Sequence, residues 1–401
     1  MNEPKIRFKG FQGEWETHAL SEYFKKVCDK NTKMECTIVL TNSAEHGIIP
    51  QNDFFDHAIA NNKNIGGYYI VSPDDFVYNP RVSVTAPVGP INRSLLDFQG
   101  VMSPLYLVFK ISAINKDYLN IFYKTNKWHT FMKLEGNCGA RFDRLSISDD
   151  QFVKMPLTHP KDHSEQQSIA SYFQHLDALI QSTTKKIESL KQVKAASLQS
   201  MFPQEGATTP RVRFKGFEGE WEKVRASNVF KTFNEKNRPD LPVLSATQDR
   251  GMVTREAIGY NIFHDKSNEA TYKHILPGQF IIHLRSFQGG FAHSSIEGIA
   301  SPAYTIMEFK DKTRHFDLYW KYIFMSKEFI KRLELITYGI RDGRSISFEE
   351  FSEMYFTVPS YEEQKKIASY ITNLDRQITL HTQRLEKLKQ IKTACLDEMF
   401  V

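Results

Sequence analysis

The sequence predicts an α+β protein of two mixed α/β globular domains, each followed by a long helix. The two helices are expected to form an antiparallel coiled coil with pseudo-two-fold symmetry. Three observations lead to this fold class. Two widely separated blocks of sequence occur twice, apolar residues in one repeated block follow a helical spacing, and the segments between the blocks contain short strand-like runs.

The duplication is the strongest signal in the chain. The opening block PKIRFKGFQGEWE at 4–16 returns as PRVRFKGFEGEWE at 210–222. The second block, at 165–202, aligns without a gap with 363–400, and half of the aligned positions are identical. Because the segments between these blocks diverge strongly, we expect two copies of one fold that act on different targets.

Short landmarks persist inside the diverged segments. GVMSPLY at 100–106 matches GIASPAY at 298–304, and a Ser-Ile-Ser triplet follows in both halves. The stretch PQEGATTP at 203–210 is rich in turn-forming residues, which indicates a joint between the halves. We therefore expect a first globular domain, a first long helix, a second globular domain and a second long helix at 1–162, 163–203, 204–360 and 361–401.

Apolar residues in the second repeated block recur at alternating spacings of three and four, the pattern of a coiled-coil seam. A helix of about 38 residues would be ~57 Å long, because each residue adds ~1.5 Å, and a helix of that length needs a partner. The other copy is the expected partner; two unrelated amphipathic helices, each lying on its own domain, are the alternative. The predicted seam consists of Ile169, Phe173, Leu176, Ile180, Thr183, Ile187, Leu190, Ile367, Ile371, Leu374, Ile378, His381, Leu385 and Leu388.

One seam position is polar in both copies, Thr183 in the first helix and His381 in the second. Both lie near the middle of their helices, so antiparallel packing would bring them together. A polar residue in such a seam can fix the register at some cost in stability, or it can be tolerated in a loosely packed layer. The sequence leaves both explanations open.

The two diverged segments mix strand-like runs with shorter helical stretches. Strands are expected within 66–72, 103–112, 279–284 and 301–310, where aromatic and β-branched residues are concentrated. A helix is expected over 317–336. Both domains are therefore predicted to be mixed α and β.

Polar and basic residues stand beside Gly, Asn, Ser or Pro at several predicted strand ends, where loops are expected. Arg can donate two hydrogen bonds to guanine, and Asn or Gln can pair with adenine, so such loops suit base reading as well as phosphate contact. For any single one of these side chains, simple solvation is the competing interpretation. The candidate DNA-binding residues are Asn42, Ser43, Asn79, Arg81, Asn92, Arg93, Arg141, Arg144, Gln248, Arg250, Arg285, Ser286, Gln288, Arg341 and Arg344.

The sequence carries no motif for nucleic-acid chemistry. It lacks the GxxxxGK[ST] loop of ATP hydrolysis, a Gly-rich turn for a methyl donor, and the Asn-Pro-Pro-aromatic motif of amino-methyltransferases. Two Pro-Asp pairs lack a persuasive acid-x-Lys continuation for a nuclease, and the histidines show no HExxH or other metal-ligand spacing. We predict no catalytic residue and no metal site.

Composition sets further bounds. A net charge of +5 permits contact with a polyanion without requiring it. Cys28, Cys36, Cys138 and Cys395 form no CxxC pair, which favours free thiols in a reducing compartment. No apolar stretch approaches the ~20 residues of a membrane span, so a cytoplasmic protein is expected.

These motifs together resemble the DNA specificity subunit of Type I restriction-modification systems over essentially the whole chain. The resemblance depends on the repeated opening block, on the G-[VI]-x-SP-x-Y landmark, on LRSFQGG at 284–290, and on EQ-x-x-IASY at the start of each long helix. It implies two target recognition domains that each read one part of a bipartite DNA site, with the helices setting the non-specific gap. It also implies double-stranded DNA, a methylation subunit in two copies and a restriction and translocation subunit as partners. S-adenosylmethionine, ATP and Mg would belong to those subunits, so no cofactor is expected in this chain.

Two other function classes compete with this one. A non-enzymatic adaptor could use the coiled coil and both domains to bind proteins rather than DNA, and the weak positive charge allows it. An autonomous nuclease would need an acidic metal cluster, which the sequence does not offer. The resemblance does not fix which residues read bases, because recognition domains vary with their targets.

Overall fold

The computed structural model describes residues 2–53, 62–137, 143–204, 206–247, 250–258, 266–283, 290–336 and 346–401. Its contacts divide the chain into two compact units, Met1–Thr184 with Arg384–Val401, and Lys185–Gln383. Each unit therefore combines one globular region with parts of both long helices. The four-segment division expected from the sequence remains a prediction, because the unit boundaries fall inside the helices.

The first globular region contains ten strands and three short α-helices within its described residues. Its strands are β1 (Glu16–Ala19), β2 (Phe24–Lys26), β3 (Leu40–Ser43), β4 (Gly47–Pro50), β5 (Tyr69–Val71), β6 (Phe76–Tyr78), β7 (Ile91–Arg93), β8 (Gly100–Met102), β9 (Leu107–Ile111) and β10 (Pro156–His159). Its helices are α1 (Lys116–Phe122), α2 (His129–Glu135) and α3 (Asp149–Phe152). A four-stranded antiparallel sheet has the order β2-β9-β6-β7, and β1–β10, β3–β4 and β5–β8 form two-stranded antiparallel pairs.

The second globular region repeats this plan. Its strands are β11 (Glu222–Arg225), β12 (Phe230–Phe233), β13 (Leu244–Thr247), β14 (Gly251–Thr254), β15 (Lys273–Ile275), β16 (Phe280–Ile282), β17 (Phe291–His293), β18 (Gly298–Ala300), β19 (Thr305–Phe309) and β20 (Tyr355–Val358). Its helices are α5 (Ala226–Val229), α6 (Asp317–Phe324), α7 (Lys327–Ile336) and α8 (Phe348–Ser352). The sheet order β12-β19-β16-β17 and the pairs β11–β20, β13–β14 and β15–β18 correspond one by one to those of the first region.

The expected strands are confirmed as β5, β9, β16 and β19, and both regions are mixed α and β. The single helix expected over 317–336 is wrong, because α6 ends at Phe324 and α7 begins at Lys327. Ser326 accounts for the break: its hydroxyl accepts a hydrogen bond from the amide of Phe329 (3.2 Å), which caps the start of α7.

The glycine of the repeated G-[VI]-x-SP-x-Y landmark is explained by packing. A Cβ at Gly100 would lie 2.4 Å from the side chain of Leu40, and a Cβ at Gly298 would lie 2.5 Å from Leu244. Each glycine therefore lets a β-hairpin leucine pack directly on strand β8 or β18. The Ser-Pro-x-Tyr that follows forms a turn, in which Tyr106 donates its amide to the carbonyl of Ser103 (3.0 Å).

The long helices are α4 (His163–Ser200) and α9 (Tyr361–Glu398). In the first unit, Lys392 donates to Asp177 and the Tyr172 hydroxyl lies 3.5 Å from the Cys395 sulfur, so the two helices run in opposite directions. In the second unit Lys194 pairs with Asp375, and Met201 beyond the end of α4 shares a hydrophobic cluster with Ile367 near the start of α9, which gives the same direction. The predicted antiparallel packing is confirmed in each unit.

Most predicted seam residues are buried. The partly exposed exceptions are Ile180, Ile378, His381 and Leu388. Thr183 is buried and its hydroxyl donates to the carbonyl of Leu179 (2.7 Å), which satisfies it within its own helix. The expected meeting of Thr183 with His381 remains a prediction.

The two repeated blocks touch each other in each half, which explains why both are repeated. The guanidinium of Arg7 donates two hydrogen bonds to the carboxylate of Glu165 at the start of α4 (2.7 and 2.8 Å). Arg213 makes the same pair with Glu363 at the start of α9 (2.7 and 2.8 Å). Both glutamates are only 1% exposed, so each pair fixes the opening block on the first turn of the helix.

Each long helix is followed directly by a Met-Phe pair whose side chains lie in a globular core. In the first unit the ring of Phe400 contacts Trp15 and Tyr118, and in the second the ring of Phe202 stacks on Tyr319. Trp15 and Trp221, one in each opening block, are both buried.

Candidate nucleic-acid interface

The loop between β6 and β7, residues 79–90, contains both buried and exposed residues. It is anchored at both ends, because Val82 packs on the hydrophobic core and Ala86 and Val88 are buried. The hydroxyl of Tyr78 donates to the carbonyl of Val88 (3.0 Å), and burial raises the pKa of this tyrosine. The anchoring leaves residues 83–85 as an exposed tip.

A glycine closes the base of this loop. Gly89 has φ +80, and a Cβ there would lie 2.0 Å from the carbonyl oxygen of Asn79. Any other residue would push the two ends of the loop apart. The two ends of the 79–90 loop are therefore held close together.

Two candidate arginines are paired across this loop and a neighbouring segment. Val82 donates its amide to the carbonyl of Asp143 (3.0 Å) and Leu145 donates to that of Pro80 (2.9 Å), so Arg81 lies opposite Arg144 in an antiparallel bridge. In this pattern the opposed residues form the non-hydrogen-bonded pair, whose side chains share one face at close range.

The charges of this pair are poorly compensated. The Arg81 side chain is 70% exposed, and its nearest carboxylate, that of Asp143, is 3.9 Å away. Arg144 makes no ion pair within the described part of the chain. Like charges directly opposite each other destabilise a strand pair, and an anion such as a DNA phosphate would relieve the repulsion. The pair is therefore the described feature that best fits an anion-binding surface.

Asn42 and Asn92 do not fit the expectation that they contact bases. Both side chains are 2% exposed, and the amide of Asn92 donates to the Oδ1 of Asn42 (2.6 Å). The amide of Asn42 donates to the carbonyl of Val77 (2.7 Å), and Lys124 donates to the Oδ1 of Asn92. Their hydrogen-bonding groups are used to hold hairpin β3–β4 against β6 and β7.

Arg93 is also largely buried, and its contact with DNA remains a prediction. Its side chain is 13% exposed and its guanidinium donates to Asp74 (Nε, 2.8 Å) and to Asp117 (2.7 Å). Burial would raise the pKa of Asp74, but hydrogen bonds from Arg93 and Lys116 outweigh it and hold that pKa below its usual value. Arg93 therefore connects β7 to α1 and is not available to a phosphate in this structure.

Two further described candidates in the first domain lie at the end of a strand, Ser43 as the last residue of β3 and Asn79 directly after β6. The Ser43 hydroxyl accepts from the amides of Glu45 and His46 (3.2 Å each) and shapes the β3–β4 turn. The Asn79 side chain donates to the Asn42 carbonyl and accepts from the Arg81 amide (3.0 Å each). The Ser43 side chain stabilises the β3–β4 turn, and the Asn79 side chain stabilises the start of the 79–90 loop.

In the second domain Arg250 is exposed beside the β13–β14 turn, and its guanidinium donates to the carbonyl of Ala257 (3.3 Å). The other predicted DNA-binding residues lie outside the described residues: Arg141, Gln248, Arg285, Ser286, Gln288, Arg341 and Arg344.

Other kinds of site find little support in the described residues. No group of three or more His, Cys, Asp or Glu side chains there could hold a metal ion. Cys28, Cys36 and Cys395 are free thiols, and Cys138 lies outside the described residues. None of the helices in the described ranges is long and apolar enough to cross a membrane.

Comparison with known proteins identifies the domain. Residues 218–390 match the family model of the Type I restriction modification DNA specificity domain. The first half repeats both sequence blocks and the strand order of this matched half. The second half of the chain therefore matches the Type I restriction modification DNA specificity domain.

Two solved specificity subunits are similar to the chain. A crystal structure of a Type I restriction-modification system S subunit from M. genitalium has 12% identity and a TM-score of 0.58, covering 100% of this chain and 99% of that chain. The HsdS subunit from Thermoanaerobacter tengcongensis has 14% identity and a TM-score of 0.48, covering 96% of each chain. The first of these likenesses supports the fold. No curated protein matches the chain in sequence.

Sequence reasoning selected Arg81 and Arg144 separately and missed their pairing. They are far apart in the chain and carry no shared motif, so only the strand bridge brings them together. It also missed the contact of Arg7 with Glu165. That contact had a signal, because both partners lie in blocks that are repeated while everything between them diverges.

Proposed function

We propose that this specificity chain reads a bipartite DNA site, with one half-site for each globular domain and a non-specific gap set by the paired helices. The duplication carries the proposal: two copies of one fold keep their anchoring blocks and differ in their loops. The pairing of the exposed Arg81 with the half-buried Arg144 supports DNA contact by the first domain.

The chain is proposed to act without catalysis of its own, as the docking platform for two methylation subunits and one restriction and translocation subunit. S-adenosylmethionine, ATP and Mg would be bound by those partners, since the sequence lacks the corresponding motifs. Since such a protein would recognise chromosomal DNA, we expect it to act in the cytoplasm.

A domain exchange tests the bipartite site. Replacing residues 17–150 by the corresponding segment of another specificity subunit should change one half of the methylated motif and leave the other half and the gap unchanged. The readout is methylome sequencing of cells that carry the methylation subunits. A simultaneous change of both half-sites would contradict the proposal.

A matched exchange in the second domain supplies the control. Replacing 223–348 should change the opposite half-site. Mobility shifts of the chain with its methylation subunits would also separate DNA recognition from an adaptor role, because an adaptor shows no preference among duplexes.

A further inference from the structure

The tip of the 79–90 loop carries an unusual side chain. Val84 is 101% exposed, which is more than any other large apolar side chain in the described residues. Its neighbours Ser83 and Thr85 are polar, and the buried Ala86 and Val88 follow. Because the Val84 side chain at the tip of this loop is fully exposed, it adds nothing to the hydrophobic core, and packing within the chain does not account for an apolar residue there.

The tip is held rigidly although it is exposed. Ser83 and Ala86 exchange backbone hydrogen bonds (3.0 and 3.2 Å), which closes the turn around Val84. The Ser83 hydroxyl accepts from the Ala86 amide (3.1 Å) and lies 3.2 Å from the Thr85 hydroxyl. The polar groups of the tip are thus used within the turn, and the isopropyl group of Val84 is presented in a fixed place.

The base of the same loop carries the paired arginines. Arg81 is three residues from Val84, so their Cα atoms lie within ~11 Å of each other. A guanidinium pair that holds a phosphate would place the tip of the loop toward the adjacent groove. The thymine methyl is the apolar group that the major-groove edge of a base pair displays.

We propose that Val84 is a specificity-determining residue that contacts the 5-methyl group of a thymine in the half-site read by the first domain. The inference depends on the proposed DNA-reading function and assigns to it a base class and a residue. In the second half the third residue after Arg285 is Gln288, whose amide suits adenine instead.

Uracil substitution tests the contact, because it removes the methyl group and leaves the base pair intact. The chain is purified with its methylation subunits, and each thymine of the motif found by methylome sequencing is replaced singly by uracil. For the wild type, one replacement in the first half-site should weaken binding about fourfold, the effect of exposing one buried methyl-sized group. For Val84→Ala, that replacement should have no effect.

Val212→Ala is the matched control, since Val212 is an exposed valine of the second half's opening block (53% exposed). It should keep the wild-type loss at the sensitive thymine. The inference is overturned if Val84→Ala retains the same thymine preference, if the first half-site contains no sensitive thymine, or if Val84→Ala instead releases the methylation subunits. Failure of the proposed function is distinct, because the wild-type complex would then bind all duplexes equally.

Discussion

At the scale of single residues, Arg81 and Arg144 place two like charges on one face of a strand pair with little compensation. Such an arrangement lowers the stability of the free protein. It suits a surface that is completed by an anionic ligand.

Arg81→Ala should therefore affect DNA binding and folding in opposite directions. We expect the slope of log K against log salt concentration to fall by about 0.9, because one phosphate contact is lost. The free energy of unfolding should stay the same or rise by a few tenths of a kcal/mol, because the repulsion with Arg144 is removed. Salt titrations of DNA binding and urea unfolding measure the two effects.

Lys133→Ala is the control for this prediction, since it removes one exposed positive charge from helix α2 of the same domain. It should leave the salt slope within error of the wild type. An equal fall in both variants would mean that general charge, and not the paired arginines, attracts DNA.

A second residue-scale feature distinguishes the two domains. The hydrogen-bonded pair Asn42 and Asn92 in the first domain is replaced by Ala246 and Ala292 at the same strand positions in the second. There Gly251 approaches the backbone of His293 so closely that a Cβ would lie 2.3 Å from its carbonyl oxygen. The same hairpin is thus held by a polar pair in one domain and by close backbone contact in the other.

Asn42→Ala and Asn92→Ala should each cost about 1–3 kcal/mol of stability, because each leaves a buried amide without its partner. The double variant should cost less than the sum, with a coupling of about 0.5–3 kcal/mol. Urea unfolding of the four proteins gives this coupling. Strictly additive costs would show that the two amides act independently.

At the scale of elements, the long helices are built so that each unit contains its own antiparallel segment. The unit boundaries fall between Thr184 and Lys185 in α4 and between Gln383 and Arg384 in α9. An insertion at these points interrupts no contact within either unit. By contrast, Met201 and Phe202 are buried beyond the end of α4, so an insertion there would disturb a core.

Inserting seven residues at both boundaries should lengthen the gap in the recognised site. Seven residues keep the seam in register and add ~10.5 Å to each helix. At ~3.4 Å per base pair this corresponds to about three base pairs, with both half-sites unchanged. Methylome sequencing of the variant measures the gap.

The same seven residues placed in the joint at 203–210 form the control, and they should leave the gap as it is. An insertion in the helices that changes the bases read, or leaves the gap unchanged, would contradict the role of the helices as a spacer.

At the scale of the whole molecule, a similar backbone hydrogen bond occurs in each unit. In the first unit it joins the opening block to the end of α9, and in the second it joins the second opening block to the end of α4. The amide of Ile6 donates to the carbonyl of Glu398 (3.0 Å), as that of Val212 donates to Ser200 (2.9 Å). Eleven residues separate Ser200 from Val212, whereas eight would separate Glu398 from Ile6 if Val401 were joined directly to Met1. About three added residues would make the two connections equivalent.

A circular permutant with this three-residue junction and new ends within 203–210 should therefore fold and direct methylation to the original motif. A permutant opened inside α4, between Lys185 and Lys186, should no longer direct methylation to the motif, because the break interrupts the paired helix. Methylome sequencing and circular dichroism would report function and folding. An equal loss in both permutants would show that the joint itself is required.

The sequence by itself determined the duplication, the fold class, the two long helices and most of their seam, because repeats and periodic apolar positions are recorded locally in the chain. It also indicated loops rich in Arg and Asn, but it did not separate surface residues from buried ones. Only the tertiary structure decided that Asn42, Asn92 and Arg93 serve the interior and that Arg81 meets Arg144. The physical reason is that exposure and pairing depend on which distant segments a strand bridge or a hairpin brings into contact, and residue type does not specify those partners.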